Sequence, residues 1–119
     1  MCSVGDIIVI QQYRDGNAEL HRHSFIVLNN EGGQIQGLDY DIVCNVMSSV
    51  KSPEQRLKKL SFPGNLEYRN EYSDIKSGNN NNGYIKAEQL YYFTLEKIDY
   101  TVIGCLKPDF FAQLIAFKN

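Results

Sequence analysis

Two short apolar runs rich in β-branched residues open the chain, and a polar loop separates them. Ile7-Ile8-Val9-Ile10 comes first, entered through Val4-Gly5-Asp6. Phe25-Ile26-Val27-Leu28 comes second and gives way to Asn29-Asn30-Glu31-Gly32-Gly33. Runs this short, bounded by glycine, aspartate and asparagine, read as buried strands rather than helices. Asp15-Gly16-Asn17 lies between them, a turn signal because Gly and Asn accept positive φ. The segment Ser24 to Leu28 is apolar on both faces and belongs in the middle of a sheet. Two strands joined this early predict a compact, barrel-like β domain. Their connecting loop carries Arg14, His21, Arg22 and His23, cationic and proton-transferring groups suited to a phosphate.

The pattern continues in the same style. Gln34 to Leu38 alternates polar and apolar residues as a half-buried strand does, and Asp41 to Met47 is a further strand ending at Ser48-Ser49. Together these elements read as an antiparallel meander. Ser52-Pro53-Glu54-Gln55 has the form of a helix start, with Ser52 as cap, Pro53 at the first helical position and Gln55 at the reciprocal capping position. That short helix runs to Leu60 and is basic through Arg56, Lys58 and Lys59. Residues 64–83 are polar and read as loop, with an asparagine- and glycine-rich tip at 77–83 expected to be mobile. Gly83 to Phe93 returns as one or two strands with an aromatic end, and Ile98 to Leu106 holds the last strand. A terminal helix begins at Pro108, where Asp109 complements the helix dipole. Phe110, Phe111, Leu114, Ile115 and Phe117 give it an apolar stripe that must bury against the sheet or a partner.

Length and charge narrow the function classes. The 119 residues make one domain, 1–119, and 43% apolar content supports a core without staples. Lys plus Arg number 12 against 14 Asp plus Glu, which disfavours a dedicated duplex-DNA binder. A local basic patch for a short single strand is compatible with that balance. The three cysteines, Cys2, Cys44 and Cys105, are odd in number and widely spaced, which predicts reduced thiols in a cytoplasmic compartment. No stretch approaches about 18 consecutive apolar residues, so no membrane span is expected. The first residues carry no signal-peptide pattern.

In this order the chain resembles the PemK/MazF family of type II toxin–antitoxin endoribonucleases. Gly5-Asp6-Ile7 is similar to that family's opening strand. His23 to Asn30 sits where the family has Arg-Pro, an apolar strand and a polar turn. Val43 to Ser49 is similar to the strand that ends in a hydroxyl residue near the active site. Ile85-Lys86-Ala87-Glu88-Gln89-Leu90 is similar to a late strand carrying a Gln, and Val102-Ile103-Gly104 with a terminal helix resembles the family's end. The resemblance implies a mainly β (α+β) fold: an SH3-like small antiparallel barrel with a short helix and a C-terminal helix, forming a symmetric homodimer. It also implies metal-independent cleavage of single-stranded RNA by attack of the ribose 2′-hydroxyl, with no cofactor, and silencing by an antitoxin protein. Two positions depart from the family. His23 replaces the arginine before the second strand, and Tyr91 replaces the arginine that follows the late Gln.

Metal-free RNA cleavage needs a base for the 2′-hydroxyl proton, an acid for the leaving oxygen and a donor for the charged phosphorane. Histidine matches the acid–base work near neutral pH. His21 and His23 share one face of an extended chain, with Arg22 on the other. A His-x-His metal pair would need further Cys or His ligands, so no metal site is assigned. His23, His21, Arg22 and Ser48 are the candidate catalytic group. Arg14, Ser49, Lys51, Arg56, Lys58, Gln89 and Tyr91 are the candidate RNA contacts. Tyr84, Tyr91, Tyr92 and Phe93 offer rings for base stacking, or serve as core. The rival reading is a non-catalytic binding protein of phage or mobile-element origin on the same scaffold. A gyrase-poisoning toxin, acting through Phe117, is a third.

Overall fold

A computed structural model describes residues 2–13, 23–75 and 82–118. The opening loop with Arg14, His21 and Arg22, and most of the asparagine-rich tip, lie outside the described residues.

The first strand, β1 (Asp6–Tyr13), is followed by β2 (His23–Asn29), β3 (Gly33–Ile35), β4 (Leu38–Tyr40) and β5 (Ile42–Ser49). Helix α1 (Pro53–Leu60) leads to β6 (Asn65–Tyr68), a single 3-10 turn and β7 (Ser73–Ile75). Then come β8 (Gly83–Lys86), β9 (Tyr91–Phe93), β10 (Ile98–Leu106) and α2 (Pro108–Lys118). The main sheet runs β6-β8-β5-β2-β1-β10-β7, with β9 also on β5, and every pairing is antiparallel. It curls into a half-barrel, so the expected mainly β, small-barrel fold with a C-terminal helix holds.

The central strands bury both faces, as their unbroken apolar runs require. Ile8, Ile10, Phe25, Val27, Cys44 and Val46 point into one cluster, which Phe93 and Ile98 complete. Ile7, Val9, Ile26, Ile85 and Ile103 point into the other, where Phe110 and Leu114 of α2 cap them. Burying each of those two helix side chains contributes about 1.5–3 kcal/mol. The stripe read from the sequence is therefore correct at its centre, while Phe117 is left exposed.

Two sequence readings need correction, those of Gln34 to Leu38 and of residues 64–83. Gln34 to Leu38 is not one strand: Gln36 and Gly37 take φ of 50° and 81° and turn the chain, so β3 and β4 form their own hairpin. Residues 64–83 are not all loop, because β6 pairs with β8 and β7 with β10. Asn65 to Tyr68 alternates with a period of two, and buried Tyr68 donates its hydroxyl to Ser73 Oγ at 2.7 Å. Those strands are polar on one side and short, so composition hid them. Gly83 to Phe93 resolves into two strands, β8 and β9, that lie in turn along β5.

Candidate nucleic-acid interface

Register places the candidate residues before any side-chain contact is considered. Ser24 pairs with Met47, so continuing the ladder sets His23 across from Ser48. Ser48 pairs with Tyr84, and Tyr84 with Glu67. His23, Ser48, Tyr84 and Glu67 therefore form one transverse row on one face of the sheet. At about 4.8 Å per strand the row spans about 14 Å. Ser49, one residue on, faces the other side.

His23 stands exposed at the start of this row. Its ring lies 6.4 Å from that of Phe25, edge to face. Phe25 meets Tyr91 at 5.3 Å, and the Tyr91 hydroxyl donates to Gln89 Oε1 at 3.4 Å. His23 and Gln89 are thus linked through two aromatic rings. Tyr91 is half-buried against Phe25 and Phe93 and is not a free platform. Tyr84 and Phe93 are buried, so neither can stack on a base; Tyr92 stays partly exposed beside Tyr40.

The basic residues gather at the far end of the row. Ser52 Oγ accepts from the Gln55 N–H at 3.1 Å, and Gln55 Oε1 accepts from the Lys51 N–H at 2.6 Å. The Ser52 cap fixes where α1 begins, as the sequence predicts, while Gln55 reaches one residue past the cap, to Lys51 instead of Ser52. A groove of about 820 Å³ opens beside it, lined by Ser49, Lys51 and Arg56 with Glu67, Arg69 and Asn82. Three cations thus face one carboxylate, although the whole chain carries a net charge of −2. Arg56 and Glu67 form an ion pair across it. Lys58 lies on α1 but not in the groove lining. A second cavity of about 320 Å³ lies beyond Lys59, bordered by Phe62, Tyr84, Lys86 and Gln89.

The structure therefore joins Ser49, Lys51 and Arg56 in one groove and sets His23, Ser48, Tyr91 and Gln89 on or near the row. Lys58 stays apart, and Arg14, His21 and Arg22 lie outside the described residues. Sequence reasoning missed Glu67, Arg69 and Asn82. The alternation of Glu67, Tyr68 and Arg69 was the available signal, since it puts both charges on one side of an extended chain.

Among the described residues no group of three or more His, Cys, Asp or Glu side chains is placed to hold a metal ion. No described helix is long and apolar enough to cross a membrane. No protein-family model matches the chain, and no curated protein matches it significantly.

Proposed function

We propose that the protein is a toxin-like, metal-independent endoribonuclease that cleaves single-stranded RNA in the cytoplasm. The observation that carries this reading is the cross-strand row. It sets an exposed histidine and a hydroxyl on one face and leads to a groove with three cations. In the proposed reaction a base removes the 2′-hydroxyl proton. The 2′-oxygen bonds to the adjacent phosphorus, and the bond from phosphorus to the 5′-oxygen breaks. An acid returns a proton to that oxygen, leaving a 2′,3′-cyclic phosphate and a 5′-hydroxyl. His23 takes one of the two proton-transfer roles, and His21 is the candidate for the other. Ser48 donates a hydrogen bond to the phosphate, while Lys51, Arg56 and Arg69 hold the strand. The family resemblance supplies the expected partners: an antitoxin protein and a second copy of the chain.

Purified protein is expected to cut a single-stranded RNA pool in the presence of EDTA. His23→Ala should slow the cut by about 10²–10⁴-fold, and Ser48→Ala by less. The pH–rate profile should be bell-shaped near neutrality. Cleavage unchanged in the His21→Ala, His23→Ala double variant would reject the site. One observation favours the rival, a non-catalytic binding protein: Tyr91 is packed among rings where the family has an arginine. No cleavage by intact wild-type protein would decide for it.

A further inference from the structure

Glu67 sits between two arginines at the rim of the groove. Its Oε2 contacts Arg56 Nη2 and lies 3.8 Å from Arg69 Nε. Arg69 also reaches Glu71 Oε1 at 3.7 Å with Nη1. The arginine side chains keep 40% and 48% of their exposure, and that of Glu67 keeps 32%. Ion pairs this open contribute little to stability, because solvent screens them and ordering two long side chains opposes them. They do fix where each charge sits before a ligand arrives.

A carboxylate shared by two guanidinium groups is the internal counterpart of a bound phosphate. Both are anions with paired acceptor oxygens, and both fit the fork of arginine donors. We propose that Glu67 occupies, in the free protein, the place that one backbone phosphate takes when a single strand enters the groove. The inference rests on reading this groove as a strand-binding surface. Entry then exchanges one anion for another on Arg56 and Arg69. The displaced carboxylate stays on β6, close to the incoming phosphate, and repels it. Glu67 thereby restrains the affinity of the groove. A strand that puts no phosphate at that spot leaves the Arg56–Glu67–Arg69 bridge closed.

The test measures binding apart from chemistry. The probe is a fluorescent single-stranded oligonucleotide with 2′-deoxyribose, which has no attacking hydroxyl, followed by anisotropy with the full chain. Glu67→Gln keeps the shape and removes the charge, and is expected to tighten binding about three- to tenfold at low salt. Adding Arg56→Ala to that variant should abolish the gain. Glu71→Gln removes an equal charge next to Arg69 but outside the groove lining, and should shift binding less than about twofold. If Glu67→Gln fails to fold, Glu67→Asp, whose shorter arm cannot span both arginines, should tighten binding about twofold.

Unchanged or weaker binding by a folded Glu67→Gln variant would overturn the inference. An equal gain from Glu71→Gln would do the same, because net charge alone would then explain it. So would no binding by either protein. A polyglutamate peptide of equal charge that gains more from Glu67→Gln than the oligonucleotide would identify an acidic protein segment as the ligand and overturn the inference. Glu67-dependent binding without RNA cleavage would sink only the nuclease reading. Cleavage with binding indifferent to Glu67 would sink only the inference.

Discussion

Asn45 accounts for how one strand can be interrupted inside a buried sheet. It is the lone polar residue in the run from Ile42 to Met47, and it is fully buried. Its Nδ2 donates to the carbonyls of Ala87 at 3.4 Å and Gln89 at 2.7 Å, in the stretch between β8 and β9. Its Oδ1 accepts from Lys118 Nζ at 3.1 Å, and Lys118 also donates to the Ala87 carbonyl. Burial pushes the Lys118 amine below its ordinary value. The sequence marked Asn45 only as a polar letter in an apolar word, because its partners lie more than forty residues away. Next to it, burial pushes the Cys44 thiol well above its ordinary 9.0, with nearby Cys2 adding to the shift. The folded protein keeps that proton where the unfolded chain releases it. The resulting stability is full below about pH 9 and is lost as the pH climbs further. Cys44→Ala is expected to flatten the fall of melting temperature between about pH 9 and pH 11. Lys118 acts with the opposite sign but is common to both proteins, so their slopes can be compared. Equal slopes would show that the thiol is not the titrating group.

At the level of elements, the legible parts are those whose signals are local. Ser52, Pro53 and Gln55 announce α1 because a cap is completed within four residues. Strands β1, β2 and β5 are legible because burial on both faces leaves unbroken apolar runs. Strands β6 and β7 were hidden, since their pairing partners and not their composition make them strands. The groove was hidden with them: Lys51 and Arg56 stood out as a basic cluster, whereas Glu67 and Arg69 gained meaning only once β6 was placed beside α1. Gly83 ties these elements together. It pairs with both Ser49 and Tyr68 at the groove floor, and a Cβ there would collide with the Ser48 carbonyl. That atom is backbone in a central strand and cannot swing away. Gly83→Ala should therefore cost about 2–3 kcal/mol in urea unfolding. It should also weaken oligonucleotide binding, since the same shift moves Ser49. A cost below about 0.5 kcal/mol would mean that the two strands part more easily than their register implies.

The whole molecule presents large apolar side chains at its surface, among them Leu38, Leu57, Phe62 and Phe117. Single exposed apolar residues are ordinary, so these do not by themselves define an interface. The expectation of a symmetric dimer comes from the family resemblance and belongs to the nuclease proposal. Light scattering at tens of micromolar should then give twice the mass of the 13.6 kDa chain. A monomer throughout would weigh against that proposal and leave the fold untouched. At this scale the sequence predicted the class of sheet but not its order. Strand order depends on which distant edges meet, and the longest-range case is the pairing of β1 with β10. Asp6 lies opposite Cys105, 99 positions later (105 less 6). A chain emerging from the ribosome at about 5–20 residues per second must therefore wait several seconds before its first strand finds that partner. Until then β1 can pair only with β2, and one edge stays open. The complete sheet can form only after β10 has emerged. If the protein does cut RNA, that delay keeps its chemistry from starting while β1 still waits for β10.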